Sequence, residues 1–432
     1  MLSRRDFSRL LALSGSAALF PAPSLSGGGD LLARLGLSRA PLPQTPASPD
    51  EKFWHEVRAR FLLPRDLIFL NAANLCPTSL PAIESHEKQL RSYEANPSPE
   101  ARTVLMRGRE EARKLLADAL RVTPEEIVIT RNTTESNNFV SSGLDLRAGD
   151  EVVVWADNHP SNLNAWRTKA QRFGFTVVTV PVVSPHPGAQ GFVDQFTKAI
   201  TPKTKLVAIT HVSSNSGDLL PAREICAAAR ERGVLSLVDG AQAFGVFDLD
   251  LSAIKPDFYT GSMHKWPCGP KEKGLLYVSR AVHDRLHPSI VGLYGGQVGL
   301  SRTFEANGQR DDASIFATVE ALKFQTTIGR ATIERRSRQL AGALMDGLRK
   351  LPGVTLWTSP DPARSAAIVI FQPGSLDVRR LGPALTEKER IVCTTRASQQ
   401  NPGLRMSPHF YNTMDEMDRV VATIRKYLAS GV

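Results

Sequence analysis

The stretch from Leu235 to Lys265 reads LSLVDGAQAFGVFDLDLSAIKPDFYTGSMHK. Two short runs of mainly apolar residues, 234–238 and 257–260, decide the fold. The first run ends abruptly at Asp239, where Asp-Gly is typical of a turn after a buried strand. The second run leads through Gly261 to Lys265. In an α/β sheet, two such strands bring Asp239 and Lys265 to the same edge, where ligands bind. A lysine beside a carboxylate at that edge indicates Schiff-base chemistry, with a partner for a ring nitrogen.

The motif of this stretch resembles that of the class V aminotransferase family. It consists of Asp239-Gly-Ala-Gln242, followed by Ser262, His264 and Lys265. That family uses pyridoxal 5'-phosphate (PLP) and includes cysteine desulfurases, kynureninases and isopenicillin-N epimerases. The resemblance implies that Lys265 holds PLP as a Schiff base and that Asp239 keeps the pyridine nitrogen protonated. It also implies that Gln242 hydrogen-bonds the ring hydroxyl, while Ser262 and His264 reach the phosphate.

Three further segments fit the same pattern. Thr133 and Thr134 open a helix after a strand, which gives either an anion site or ordinary capping; the family places the cofactor phosphate there. His159 follows another strand in Asn-His-Pro-Ser-Asn, and the family has a histidine here that lies over the PLP ring. Arg405 lies in LRMSPHFYNT, a strong match to the family. Since a guanidinium pairs bidentately with a carboxylate, Arg405 is the candidate for binding the substrate carboxylate.

The order of strands and helices predicts the architecture. They alternate from about residue 127 onward, which is typical of a mostly parallel sheet covered by helices. With the resemblance, this predicts an α/β protein of PLP-dependent fold type I, with a mainly parallel seven-stranded sheet and a smaller C-terminal α/β domain. We expect Gly274–Val278 to be an edge strand and a single helix to run from about 313 to 349. The expected divisions are a signal at 1–29, a linker at 30–50, a large PLP-binding domain with its N-terminal segment at 51–312, and the bridging helix with the small domain at 313–432.

Composition narrows the function classes. The net charge of +10 invites a nucleic-acid partner, but the basic residues are scattered, so none is predicted. A basic enzyme that acts on an anionic substrate and cofactor is the better interpretation. No Cys/His cluster has metal-ligand spacing, so no metal is expected. The four cysteines lack paired spacing and predict buried or free thiols rather than a disulfide scaffold; they are Cys76, Cys226, Cys268 and Cys393.

The N-terminus has the three parts of a secretory signal. Arg4 and Arg5 precede an apolar run, Leu10–Phe20, which is about half the roughly 20 residues that a membrane span needs, and small residues follow. The adjacent arginines with Phe7 resemble a twin-arginine signal; an amphipathic helix with a chance arginine pair is the alternative. We therefore expect a periplasmic or secreted protein, exported folded by the twin-arginine machinery, without a stable membrane anchor.

The sequence leaves open which PLP-dependent reaction the protein catalyses. Transamination, racemisation, β-elimination and retro-Claisen cleavage all begin from an amino acid joined to PLP. A desulfurase needs a nucleophilic cysteine on the loop shortly before Arg405, and the segment 397–402 lacks one. The chain is therefore nearest the isopenicillin-N-epimerase-like branch, acting on an amino acid or a peptide-derived amine. The alternatives are a desulfurase-like lyase, a non-catalytic binding protein that kept the fold, and a thiol enzyme using Cys76 or Cys393.

A loop at the end of the large domain indicates how the protein assembles. The segment 304–311 resembles the family loop that reaches the PLP phosphate of the other subunit, with Gln309 where threonine is usual. The resemblance therefore implies a homodimer with shared sites.

Export should depend on the arginine pair. Changing both Arg4→Lys and Arg5→Lys keeps the charge but removes the guanidinium groups that the export machinery is expected to recognise. We expect the precursor to stay in the cytoplasm, folded, in a fractionation followed by immunoblotting. Arg9→Lys in the same leader is the matched control and should leave export intact. Unchanged secretion of the double variant would favour the general secretory route instead.

Overall fold

The computed structural model describes residues 38, 40–183, 186–293, 299–397 and 401–432. The signal predicted at 1–29 lies outside these residues. The strands, in chain order, are β1 (Ile68–Phe69), β2 (Ile127–Thr130), β3 (Glu151–Trp155), β4 (Thr176–Val180), β5 (Thr204–Thr210), β6 (Leu235–Asp239), β7 (Phe258–Ser262), β8 (Gly274–Val278), β9 (Val354–Leu356), β10 (Val369–Pro373), β11 (Ile391–Val392), β12 (Thr394–Arg396) and β13 (Gly403–Met406).

Helices connect most of these strands. They are α1 (Glu51–Arg58), α2 (Leu80–Ala95), α3 (Pro99–Leu120), α4 (Thr133–Gly143), α5 (Pro160–Phe173), α6 (Gly188–Ala199), α7 (Ala222–Arg230), α8 (Leu251–Ile254), α9 (Leu300–Glu305), α10 (Ser314–Ile328), α11 (Arg330–Arg349), α12 (Val378–Glu387) and α13 (Met414–Ser430). None of the helices in the described part of the chain is long and apolar enough to span a membrane.

The central sheet has seven strands in the order β2-β8-β7-β6-β5-β3-β4. All pairings are parallel except those of β8, which runs antiparallel to both of its neighbours. The predicted mainly parallel sheet is therefore confirmed. The expectation that β8 is an edge strand was wrong, because β2 lies outside it and covers its free side.

Both faces of this sheet are covered, which explains the continuous apolar runs in its strands. In β3, Val153 packs into one hydrophobic core, while Val152 and Val154 pack into the core on the opposite face. β5 alternates in the same way, with Val207 on the first side and Leu206 on the second. Packing on both faces of the sheet therefore fixes the positions of the ends of its central strands.

A second, smaller unit has its own antiparallel sheet and core. The order of its four strands is β12-β13-β10-β9, and α11, α12 and α13 supply apolar residues to the core beside it. The helix expected from about 313 to 349 is in fact two, because Gly329 adopts φ +91°, a left-handed conformation that favours glycine, between α10 and α11. The short strand β1 pairs in parallel with β11, and Ile68 packs into this smaller core.

Gly240, directly after β6, offers a test of the packing beneath the site. A Cβ at this position would lie 2.2 Å from the ring of Tyr259, which is fully buried and whose hydroxyl lies 3.1 Å from Nδ1 of His211. We expect Gly240→Ala to lower the free energy of unfolding by about 1–3 kcal/mol or more, the usual cost of overpacking a core. Thermal unfolding measures the loss.

Gly342→Ala in α11 is the matched control, since a Cβ there meets nothing within 4 Å. It should leave the protein as stable or slightly more stable, because alanine favours a helix. Equal melting temperatures for the two variants would contradict the packing around Tyr259.

Candidate active site

The carboxyl ends of β6 and β7 meet at one edge of the central sheet. The two strands are parallel, with Asp239 opposite Thr260. The chain leaves β7 at Ser262 and reaches Lys265 within a turn. The structure therefore brings the predicted carboxylate and the predicted lysine to the edge where ligands bind in such sheets.

Asp239 is buried, with 2% of its surface exposed, and its carboxylate is held by hydrogen bonds. The Asn137 amide donates to Oδ2 at 2.9 Å, and the Asn162 amide donates to the same oxygen at 3.5 Å. The backbone N–H of Ala241 donates to Oδ1 at 3.1 Å. A buried charge needs such donors, and together they fix the carboxylate as an acceptor at the sheet edge.

Lys265 carries a reactive amine. Among the described residues its Nζ has no hydrogen-bond or ion-pair partner. Burial lowers the pKa of Lys265 to about 8, although the nearby charge of Asp239 acts in the opposite direction; the charge of Arg405 lowers it further. A larger fraction of this amine is therefore neutral and nucleophilic near neutral pH than for an ordinary lysine.

The start of α4 forms a site for an anion. The Thr133 N–H donates to the Ser262 hydroxyl at 2.9 Å, and the two hydroxyl oxygens lie 2.7 Å apart. Asn132 caps the helix by accepting from the Glu135 N–H at 3.0 Å, so the threonines are not the caps. The N–H of Thr134 has no partner among the described residues, and its side chain is exposed. Free N–H groups at a helix start favour a phosphate.

His159 lies at the start of α5. Its Nδ1 accepts from the Ser161 N–H at 3.2 Å, so the neutral ring carries its proton on Nε2. Partial burial and the charge of Lys265 lower the pKa of His159, while Asp239 acts in the opposite direction. The charge of Arg405 contributes to the same lowering. The structure thus groups His159 with the other predicted catalytic residues and keeps its ring neutral.

Gln242 and His264 are the remaining predicted cofactor contacts. The Gln242 amide donates to the Ala73 carbonyl at 2.8 Å and accepts from the Trp266 indole at 2.9 Å, which leaves one N–H for the ring hydroxyl. Burial, with the charges of Lys265 and Lys271, lowers the pKa of His264 to about 4. Both contacts stay predictions.

Arg405 lies on β13 and is buried, with 7% exposed. Its Nη1 donates to the Ser214 carbonyl at 3.3 Å, and its Nη2 donates to the Thr394 hydroxyl at 3.4 Å. The buried Nε has no partner among the described residues. Burial lowers the pKa of Arg405 to about 10, helped by the charge of Arg396, so the guanidinium stays charged at neutral pH.

Sequence reasoning missed three residues at this site. Asn137 and Asn162 hold Asp239, and Arg396 lies beside Arg405. The spacing of Asn137, four residues after Thr133, could have placed both on one face of the helix. For Arg396 no local signal existed, because its position depends on the pairing of β12 with β13.

The residues present fit PLP. A buried carboxylate, a lysine amine that has no partner among the described residues and a helix start with a free N–H at Thr134 match a ring nitrogen, an aldehyde and a phosphate. Among the described residues, no group of three or more His, Cys, Asp or Glu side chains could hold a metal ion.

Comparisons with known proteins agree with this geometry. The family model Aminotransferase class-V matches residues 68–420. The isopenicillin N epimerase of Streptomyces clavuligerus is 31% identical over 85% of this chain and 96% of its own length. A probable cysteine desulfurase of Methanothermobacter thermautotrophicus is 29% identical over 87% of this chain and 98% of its own length.

A solved structure extends the similarity to three dimensions. It is a C-DES variant with glycine covalently linked to its PLP cofactor, with a TM-score of 0.78, 26% identity, and coverage of 88% of this chain and 99% of that one. The fold is therefore PLP-dependent fold type I, and PLP is the cofactor.

The pKa of Lys265 predicts how the apoprotein takes up PLP. Because the neutral amine is the nucleophile, we expect the rate of incorporation to rise with pH up to about 8 and then to level off. After borohydride reduction, mass spectrometry should place the cofactor on the Lys265 peptide. Lys265→Ala should abolish the adduct.

Lys273→Ala is the matched control. Burial also lowers the pKa of Lys273 to about 8, but its Nζ donates to the Asp311 carbonyl at 3.0 Å. This variant should keep the adduct. An adduct on another lysine, or a rate that still rises toward pH 10, would refute the assignment of Lys265.

Proposed function

Because this chain belongs to the class V aminotransferase family of PLP-dependent enzymes, we propose that it acts on the amino group or α-carbon of an amino acid or peptide-derived amine, in an epimerase-like reaction. The observation that carries the proposal is the Lys265 amine, which has a lowered pKa and no partner among the described residues. It lies near the carboxylate of Asp239 and the guanidinium of Arg405.

Each residue has a defined part in this proposal. When bound, PLP withdraws electrons from the bonds at the substrate α-carbon. Asp239, fixed by Asn137, stabilises a proton on the ring nitrogen. Arg405 binds the substrate carboxylate, since its guanidinium has no carboxylate partner among the described residues. Lys265, as a neutral amine, accepts the proton from the α-carbon. The neutral ring of His159 would limit the access of water to the bound cofactor.

Two observations favour an epimerase-like reaction over a desulfurase. The segment 397–402 has no cysteine that could act as the sulfur acceptor. Burial raises the pKa of Cys393 to about 12, although the charge of Arg405 acts in the opposite direction, so this thiol stays protonated at neutral pH. An intact set of Lys265, Asp239 and Arg405 also supports an enzyme over a non-catalytic binding protein.

A PLP-dependent lyase is the second candidate. The similarity to a probable cysteine desulfurase is nearly as high as the similarity to the epimerase, over a comparable share of the chain. Elimination of a β-substituent needs the same lysine base and no cysteine nucleophile. Transamination also starts from these residues, so the product decides among the reactions.

We also propose that the protein forms a homodimer and is exported to the periplasm. A homodimer is supported by the loop 304–311 and by three large apolar side chains that stay exposed nearby, namely Ile290, Val291 and Leu293. Export to the periplasm by the twin-arginine route is supported by Arg4 and Arg5 with Phe7, and by the apolar run that follows them.

A product assay in deuterium oxide tests the reaction. We expect the holoenzyme, given a panel of amino acids and peptide-derived amines, to exchange the α-hydrogen for deuterium and invert the α-carbon without releasing ammonia. Mass spectrometry and chiral chromatography measure these products. Lys265→Ala should abolish the exchange, whereas Lys273→Ala should retain it.

Other products in this assay would identify an aminotransferase or a lyase instead. A keto acid formed with loss of the cofactor's aldehyde would indicate an aminotransferase, and ammonia with a sulfur product would indicate a lyase. No exchange and no product with any amine would contradict the proposed enzymatic function.

A further inference from the structure

Two buried guanidinium groups lie side by side at the junction of the two units. Arg396 ends β12 and Arg405 lies on β13, and both are more than nine-tenths buried. Their Nη1 atoms converge on one oxygen, the Ser214 carbonyl, at 3.5 and 3.3 Å. Two like charges this close repel each other unless an anion lies between or beside them.

Two buried arginines elsewhere in this protein have carboxylate partners. Arg113 pairs with Glu305 at 2.6 Å, and Arg336 pairs with Glu51 at 2.5 Å. Among the described residues, neither Arg396 nor Arg405 forms such an ion pair. The Nε of each is buried and has no partner in the described part of the chain. Among the described residues, the pair therefore has unused hydrogen-bond donors and no carboxylate in contact with it.

Arg396 is held in position from the large domain. Its Nη2 donates to Oδ1 of Asn215 at 2.6 Å, and the Asn215 amide donates to Asp157 at 2.6 Å. The Ser213 hydroxyl also donates to Asp157. The Asp157 carboxylate, whose charge also acts on Arg396, thus fixes Asn215, and Arg396 is oriented through a neutral amide. This arrangement leaves the guanidinium free to bind an anion from outside.

We propose that Arg396 is a specificity-determining residue that binds a second carboxylate of the substrate. In this arrangement Arg405 takes the α-carboxylate and Arg396 takes a carboxylate on the side chain or on the rest of the molecule. The preferred substrates are then amino acids or peptide-derived amines with two carboxylates. The inference rests on the proposed function, because it assigns Arg405 to the α-carboxylate.

Matched pairs of acids and amides test this preference. Aspartate and glutamate are compared with asparagine and glutamine, and alanine serves as the ligand with one carboxylate. The midpoint of the change in cofactor absorbance gives each affinity, and the ligand-induced rise in melting temperature gives an independent measure. We expect the holoenzyme to bind at least one of the acids about tenfold or more tightly than its amide, as one charge-assisted hydrogen bond allows.

The variants separate the two arginines. Arg396→Gln should weaken that acid about tenfold more than it weakens alanine, so that the acid and its amide bind alike. Arg405→Gln should weaken all five ligands to a similar degree. Arg60→Gln is the matched control, since Arg60 is equally buried but donates only to the Glu56 and Pro41 carbonyls. It should keep the preference for the acid.

Two results would overturn the inference. Equal affinity of the wild type for acids and amides would show that the site does not bind a second carboxylate of the substrate. Equal weakening of alanine and the acid by Arg396→Gln would mean that both arginines bind one carboxylate. A wild type that responds to no amine, although PLP is on Lys265, would refute the proposed function as well, so the two failures are distinguishable.

Discussion

The site depends on one buried carboxylate. Asp239 ends β6 with almost no exposure, and a charge in such a place is stable only if donors surround it. Asn137 on α4 and the backbone after β6 supply them, so the helix, the strand and the turn are fixed relative to one another. The same carboxylate opposes the effect of burial on Lys265 and so limits the drop in its pKa. A different residue at position 239 would release all of these constraints at once.

Electrostatics of the site follow from burial combined with an excess of positive charge. Burial lowers the pKa of Lys265, of His159 and of Arg405. The charge of Arg405 lowers the pKa of Lys265 and of His159 further, and the charge of Arg396 does the same to Arg405. An anionic cofactor and a carboxylate substrate relieve that repulsion. Positive charge is thus present where anions bind, in agreement with the interpretation of the net charge of +10.

Local patterns were enough to predict the parts of the site that depend on strand ends. The turn after Asp239 and the helix start at Thr133 follow from short apolar runs and polar residues that close them, and the structure brings Thr133 to Ser262. Features that depend on long-range packing could not be predicted in this way. The interior position of β8 is set by β2, which lies far away in the chain, and Arg396 meets Arg405 only through strand pairing. The break at Gly329 had a local signal, a glycine within a helical pattern, which the predicted single helix did not take into account.

The pairing of β1 with β11 has a consequence for biosynthesis. Ile68 lies opposite Ile391, so a strand made early by the ribosome must wait for one made near the end of synthesis. Its core also needs Met417 and Ile424, later still. Contacts between such distant positions form slowly, because a long loop must close first. The smaller unit therefore assembles only after nearly the whole chain has been translated, and a nascent chain shortened at its C-terminus leaves Ile68 and Leu70 without their core.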